Sequence, residues 1–197
     1  MYSLLNQLQK IHSCQNEKKT YAPLRPDMSS VSAIILGGGQ GTRLFPLTHA
    51  NCKPAILFGG RYRLIDIPIS NALHSGITKI FVLTQFLARS LHSHIFHTYR
   101  HDFFSPGFIE ILSAEQRPGN SEWYKGTADA VRQNIQYLKE TSCEYFLILS
   151  GDQLYKMDYT HLIDWAEESS SDVVVATLPV AARYAKRMGI MKVNEDQ

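Results

Sequence analysis

The stretch that decides the fold is VSAIILGGGQGTRLFPLT, residues 31–48. Its first six residues form a short apolar run rich in β-branched side chains, which predicts a buried strand. Glycine fills four of the next five positions, 37–39 and 41. A glycine loop exposes backbone N–H groups and lets a ligand approach them closely, so it is suited to hold phosphate. The sequence therefore predicts a phosphate site at the carboxyl end of a first strand.

Two cations follow this loop, Arg43 two residues after Gly41 and Lys53 in the tripeptide Cys-Lys-Pro. A guanidinium can hold phosphate oxygens through a forked pair of charged hydrogen bonds, and the lysine adds a mobile point charge. The Walker A loop is excluded because Thr42 and Arg43 stand where it requires lysine and a hydroxyl residue. The dinucleotide fingerprint is incomplete because Thr42 occupies the place of its third glycine. A purely structural strand-to-helix turn remains the alternative interpretation.

Composition limits the class of protein. The chain has 197 residues, 44% of them hydrophobic, and a formal net charge of +2. This charge is too small to indicate a nucleic-acid partner, and no apolar run approaches the roughly 20 residues of a membrane helix. Three widely separated cysteines, at positions 14, 52 and 143, favour reduced thiols in a cytoplasmic protein over a disulfide framework or a zinc site.

The pattern along the chain predicts a tail followed by one domain. Residues 1–30 are expected to be a tail and linker, with a short amphipathic helix near the start, and residues 31–197 to be the folded domain. Strands alternate with helices, which predicts an α/β fold with a mostly parallel, Rossmann-like sheet and helices on both faces. The predicted strands are 31–36, 79–84, 107–112, 144–149, 172–178 and a last one from 189; the predicted helices are 66–74, 86–99, 126–139, 159–168 and 181–188.

Several long motifs resemble the sugar-nucleotide pyrophosphorylases, and among them most closely the ADP-glucose pyrophosphorylases (glucose-1-phosphate adenylyltransferases). They are GGGQGTRLFPLT with Lys-Pro at 53–54, YRLID at 62–66 with Ser-Asn at 70–71, Thr-Gln at 84–85, WYKGTADA at 123–130 and Gly-Asp at 151–152. They occur in the same order and extend over nearly the whole chain after the tail. The resemblance implies a nucleotidyltransferase fold of the nucleotide-diphospho-sugar transferase type.

The resemblance also implies roles for particular residues. Arg43, Lys53 and Asp152 would be catalytic, and Asp152 would bind Mg²⁺. By position alone, Asp152 could equally be the N-cap of a following helix. Gln116 would read the nucleotide base, although a loop glutamine alone is usually solvated, and Tyr124 would pack on the adenine ring. The nucleotide-binding residues implied in this way are Leu36, Gly37, Gly38, Gly39, Gly41, Thr42, Gln116, Tyr124, Gly126, Thr127 and Gly151.

The implied reaction joins ATP and α-D-glucose 1-phosphate to give ADP-glucose and pyrophosphate, in glycogen or starch synthesis. A homotetramer or mixed tetramer and a cytoplasmic location, alternatively a plastid one, are expected by the same analogy.

Ala50 and Asn51 replace the basic residues that activator-responsive members carry, so control by a sugar-phosphate activator is not expected in its usual form. Members extend beyond the point where this sequence ends, so we expect an incomplete domain with an exposed strand edge, low stability and no turnover by this chain alone.

Three other interpretations stay open at this point. The nucleotide could be UTP or dTTP, or the chain could be a non-catalytic regulatory subunit. A dinucleotide-dependent dehydrogenase fits worst, because its third glycine and its distal acidic residue are absent.

Histidines 94, 97 and 101 have helical spacing but no glutamate in an H-E-x-x-H pattern, so a partly exposed helix face is favoured over a metal site.

Overall fold

A computed structural model of the chain describes residues 27–39, 41–100, 104, 106–114, 123–186 and 188–191. Residues 1–26 of the predicted tail (with Cys14), His101, Gln116 and the end of the last predicted strand lie outside these residues. In the described part, no helix is both long and apolar enough to cross a membrane.

A four-stranded parallel sheet forms the centre of the molecule, in the order β5-β4-β1-β6. A small antiparallel hairpin, β2-β3, turns at Gly59 and Gly60, which both have positive φ. The strands are β1 (Val31–Leu36), β2 (Leu57–Phe58), β3 (Tyr62–Arg63), β4 (Lys79–Thr84), β5 (Phe108–Ser113) and β6 (Tyr145–Ser150).

Helices cover both faces of this sheet, as predicted. The helices that pack on the sheet are α1 (Asp66–His74), α2 (Arg89–Thr98), α3 (Thr127–Gln133), α4 (Ile135–Glu140) and α5 (Thr160–Ser169); a further single turn, α6 (Ala182–Ala185), has no buried residue. Single 3₁₀ turns occur at Met28–Ser30, Thr42–Leu44 and Lys53–Ala55. The predicted α/β fold with a parallel sheet is confirmed.

Alternation along the strands divides the core into two layers. Ala33, Ile35 and Val82 point to the face where they pack with α1, α2 and α5. Ile34 and Phe81 point to the opposite face, where they join Ala130 of α3 and Leu138 of α4. The central strands are apolar on both sides because both faces are covered, as expected for a parallel sheet.

Contacts with other parts of the chain alter two of the longer predicted helices. The predicted helix 86–99 begins only at Arg89, because Leu87 has a φ of +45° and its carbonyl oxygen accepts from Cys52 N. The predicted helix 126–139 is interrupted at Asn134, where φ is −101° and ψ is 5°. The Asn134 amide donates to Ala130 O and to the Tyr124 hydroxyl, so its side chain competes with the helical backbone.

The strand predicted over 172–178 is wrong. These residues carry no strand, and the side chains of Val173 and Leu178 are 78% and 81% exposed. A β-branched run becomes a strand only where a neighbour supplies hydrogen bonds, and no other described residue pairs with this segment. Residues 189–191 likewise form no strand. The predicted helix 181–188 shortens to the single turn of α6.

The β6 edge of the sheet has no partner strand among the described residues. On its α3/α4 face, Phe146 and Ile148 are 38% and 53% exposed, so the described helices leave these side chains partly uncovered. The β6 edge is thus unpaired within the described residues, and low stability of this chain alone stays a prediction.

Candidate functional site

A cleft of about 470 Å³ opens at the carboxyl ends of β4, β1 and β6. This is the edge where parallel α/β sheets bind ligands, and the volume is that of a typical small-molecule site. The cleft is lined by eleven of the predicted site residues and also by Leu44, Pro54, Leu83, Gln85, Phe86, Lys125, Ala130 and Ser150. The eleven are Leu36, Gly38, Gly39, Gly41, Thr42, Arg43, Lys53, Tyr124, Gly126, Thr127 and Asp152.

The glycine loop forms one wall of the cleft. The N–H groups of Gly38 and Gly39 make no hydrogen bond to another described residue. Gly41 has a φ of +64°, and its carbonyl oxygen accepts a 2.9 Å hydrogen bond from the buried Thr48 hydroxyl. A side chain at Gly41 would meet Thr48 Cγ2 at 2.8 Å, so this turn requires glycine. Arg43 follows in the turn Thr42–Leu44, with its side chain exposed at the cleft.

Lys53 and Asp152 meet across the cleft. Lys53 Nζ lies 2.7 Å from Asp152 Oδ2, and the two side chains are 32% and 30% exposed. The Ser150 hydroxyl donates to Asp152 Oδ1 at 2.6 Å. Burial by itself raises the pKa of Asp152, but the hydrogen bonds from Lys53 and Ser150 outweigh it and hold this pKa below its ordinary value. Asp152 is therefore an ionised carboxylate with a partner on each oxygen.

A buried polar cluster fixes the backbone that carries Lys53. Asp66 accepts hydrogen bonds of 2.7 Å from Arg63 N, from His94 Nε2 and from the Tyr99 hydroxyl. Arg63 in turn donates from Nη1 to Ala55 O at 2.7 Å, in the Lys53–Ala55 turn. The ring of His94 thus belongs to this buried cluster rather than to a metal site. The pKa of Tyr99 is raised, mainly because its hydroxyl is buried.

A second loop, residues 123–126, forms the opposite wall. The Asp129 carboxylate accepts from Lys125 N at 3.0 Å and also binds Arg132 and Gln133. These bonds, the one from Lys125 first, lower the pKa of Asp129 to about 2. The Tyr124 hydroxyl accepts from Asn134 at 2.8 Å, which fixes its ring beside the cleft.

Trp123 lies at the rim of this wall and is not a core residue. Its indole stacks on the Phe86 ring, with centroids 5.3 Å apart and planes 24° apart, and remains 52% exposed. Phe86 itself lines the cleft, so the stacked pair joins the second loop to the end of β4.

Gly37 and Gly151 lie behind the cleft wall. Gly37 N donates to Leu83 O at 2.7 Å and Gly151 N to Leu36 O at 3.0 Å, so both N–H groups belong to the sheet. A side chain at Gly151 would come within 2.9 Å of Leu36 O. Both glycines permit close packing beneath the site, and their contact with a nucleotide stays a prediction. Gln116, predicted to read the base, lies outside the described residues.

A model of the nucleotidyl transferase family matches residues 32–197, most of the chain. The chain belongs to the nucleotidyl transferase family. Membership supports transfer of a nucleotidyl group to a sugar 1-phosphate in general. In this nucleotidyl transferase, the matched span contains the glycine loop, Lys53, the second loop and Asp152.

Four residues that contribute to the site of this nucleotidyl transferase are not among the predicted site residues, although Gln85 and Asp129 lie within the quoted motifs. Ser150 orients Asp152, Asp129 holds the second loop, and Gln85 and Phe86 extend the cleft to the end of β4. Asp129 does carry a recognisable signal, an acidic residue in the first turn of a helix, where N–H groups attract it. Ser150 carries no such signal, because its role depends on the side chain two residues later.

No three His, Cys, Asp or Glu side chains in the described part of the nucleotidyl transferase come together as a metal cage. Asp152 is the acidic side chain among the described residues that line the cleft, with the Ser150 hydroxyl beside it. Mg²⁺ commonly uses one or two carboxylates and takes its other ligands from substrate phosphates and water. This donor set therefore fits Mg²⁺ brought by a phosphorylated substrate, and not a metal held by protein groups alone.

Proposed function

We propose that this nucleotidyl transferase uses ATP and α-D-glucose 1-phosphate as substrates and forms ADP-glucose and pyrophosphate. The observation that carries the proposal is the cleft itself, in which the glycine loop, Arg43, Lys53 and Asp152 converge at one sheet edge. Family membership supports the class of reaction, and the WYKGTADA motif, which resembles the ADP-glucose pyrophosphorylases, supports the adenine nucleotide.

The chemistry requires positioning more than acid–base catalysis. A phosphate oxygen of the sugar phosphate attacks the α-phosphorus of the nucleotide, a bond to the bridging oxygen breaks, and pyrophosphate leaves. The attacking phosphate is already ionised, so no side chain has to remove a proton from it. The rate then depends on alignment and on stabilisation of negative charge.

The residues of the cleft match these needs. Gly38 and Gly39 offer N–H groups to phosphate oxygens, and the exposed Arg43 offers a guanidinium for the departing pyrophosphate. Lys53 supplies charge near the reacting phosphates. Mg²⁺ held by Asp152 would neutralise phosphate charge and align the reacting groups.

The second loop provides a surface for the base. Tyr124 is fixed by Asn134 and lines the cleft, so its ring can pack on a purine without losing side-chain freedom on binding. Asp129 restrains the backbone at Lys125 and thereby the neighbouring Tyr124 and Gly126.

The test is calorimetric titration of the chain with Mg²⁺-ATP, Mg²⁺-UTP and Mg²⁺-dTTP, repeated with Arg43→Ala. We expect ATP to bind at least tenfold more tightly than UTP or dTTP, and Arg43→Ala to weaken ATP binding about tenfold or more, the size of a lost charge-assisted contact. A preference for UTP or dTTP would reassign the nucleotide within the family. No binding of any nucleotide to a folded sample would contradict the proposal.

A further inference from the structure

The ion pair between Lys53 and Asp152 joins the two charges that the proposed reaction needs apart. Asp152 Oδ2 receives the Lys53 ammonium at 2.7 Å, and Oδ1 receives the Ser150 hydroxyl at 2.6 Å. Both oxygens of the carboxylate therefore have a partner. A divalent cation that coordinates Oδ2 needs the position that the ammonium occupies.

Both members of the pair are held in place from behind. The turn of Lys53 is fixed by the hydrogen bond from Arg63 to Ala55 O and by that from Ile65 N to Pro54 O, 2.7 and 3.0 Å long. Asp152 follows β6 directly and is oriented by Ser150. The backbone of Lys53 and the carboxylate of Asp152 are therefore ordered before the pair forms, and only the lysine side chain has to be ordered further.

The lysine can nevertheless leave without unfolding its surroundings. Its stem has four carbons, its side chain is about one-third exposed, and the cleft in front of it is open to the glycine loop. A displaced ammonium has lost its anion and is attracted to any phosphate in that cleft. The backbone of Lys53 can remain fixed while the head group moves.

We infer that Lys53 is a resident counter-ion that a divalent cation displaces from Asp152, which couples metal binding to phosphate binding. The inference rests on the proposed function, because that function places the metal at Asp152. A metal alone must break the ion pair and leave the ammonium without an anion. A metal and a phosphate together replace both lost contacts, so each raises the affinity for the other, and the coupling is reciprocal.

The direct test is the affinity for Mn²⁺ without nucleotide, measured on the full 197-residue chain by electron paramagnetic resonance of free Mn²⁺. Lys53→Met removes the ammonium and keeps an unbranched stem. We expect this variant to bind Mn²⁺ about threefold to tenfold more tightly than the wild type, the size expected for a fixed, partly exposed ion pair. Asp152→Asn in the same background should abolish the gain.

Two matched variants separate the ion pair from general effects. Arg43→Met removes a cation from the same cleft without breaking a bond to Asp152, and should change Mn²⁺ affinity less than twofold. Lys53→Arg keeps the charge and should bind Mn²⁺ as weakly as the wild type. A cooperative melt of each variant establishes that it is folded.

A second measurement tests the coupling itself. The ratio of ATP affinities with and without Mg²⁺ should be about threefold to tenfold smaller in Lys53→Met than in the wild type. Complex formation between Mg²⁺ and ATP in solution contributes equally to both proteins and cancels.

The inference would be overturned if wild type and Lys53→Met bound Mn²⁺ equally well, or if neither bound Mn²⁺. It would also be overturned if Arg43→Met gained as much Mn²⁺ affinity as Lys53→Met, or if Lys53→Met left the ratio of ATP affinities with and without Mg²⁺ unchanged. These outcomes are distinct from failure of the proposed function. A protein that prefers another nucleotide can still exchange Lys53 for a metal, and a protein that prefers ATP can lack the exchange.

Discussion

The turn at Gly41 offers a quantitative test of the glycine loop. Gly41 has a φ of +64°, in the left-handed region that L-residues disfavour. A Cβ there would lie 2.8 Å from Thr48 Cγ2 and 3.3 Å from Lys53 Cβ. Thr48 is buried, and its hydroxyl donates to Gly41 O, so its methyl group can move away only if that hydrogen bond is lost. Gly41→Ala therefore combines backbone strain with a clash.

The expected loss of stability is about 2 kcal/mol. The left-handed conformation costs alanine about 1–2 kcal/mol, and loss of the Thr48 hydrogen bond costs about 0.5–1.5 kcal/mol. The smaller entropy of the unfolded alanine chain offsets about 0.4–1 kcal/mol of this. For a chain of this length, the sum lowers the melting temperature by about 4–8 °C.

Urea unfolding of the wild type, Gly41→Ala and Gly39→Ala measures this difference. Gly39 belongs to the same loop, but a Cβ there has nothing within 4 Å, so Gly39→Ala should change the free energy of unfolding by less than about 0.5 kcal/mol. If Gly41→Ala is as stable as Gly39→Ala, the loop does not require a left-handed residue and the reasoning is wrong.

Two further predictions concern carboxylates beside the site. Asp66→Asn places an amide donor in a buried position that accepts three hydrogen bonds, so it should lower the free energy of unfolding by about 2–4 kcal/mol. Tyr99→Phe removes only one of the three donors and should lower the free energy of unfolding by about 1–2 kcal/mol. Urea unfolding checks both, and a more stable Asp66→Asn would contradict the assignment. The pKa of Asp129 is lowered in the folded state to about 2, so its stabilising effect is complete above pH 3.8 and is lost as pH falls towards 2. The difference in unfolding free energy between wild type and Asp129→Asn should therefore shrink over that range. A difference in unfolding free energy that stays constant between pH 5 and pH 2.5 would show that Asp129 stabilises the loop without its charge.

Much of the fold could be predicted because local pattern and tertiary structure agree there. The strand β1 and the strand β4 have the predicted bounds, since each is a six-residue run that is buried on both faces. The helix α1 begins at Asp66 and ends at His74, as predicted from an acidic start and a glycine just beyond its end.

The departures occur where distant contacts determine the backbone. Leu87 takes a left-handed conformation beside Cys52, and Asn134 interrupts a helix while it binds Tyr124. Neither contact is visible in a local sequence pattern. The segment 172–178 shows the converse, because its β-branched residues favour a strand but no described neighbour pairs with it.

In the candidate site, too, one part follows from the topology of the sheet and the other depends on side-chain contacts. The meeting of the glycine loop with Asp152 follows from topology, because both end neighbouring parallel strands, with Leu36 paired to Ser150. The ion pair of Lys53 with Asp152 and the hold of Asp129 on Lys125 depend on the reach of side chains, which the order of strands does not specify.

The stacking of Trp123 on Phe86 gives the chain a built-in optical reporter. Of the two tryptophans, Trp123 adjoins the second loop at the cleft, whereas Trp165 lies 62% exposed on α5, against the opposite face of the sheet. A nucleotide that reorients the stacked pair changes the polarity around one indole and leaves the other as a constant background. Intrinsic fluorescence of Trp165→Phe would isolate that signal and follow occupancy of the cleft in real time without a label.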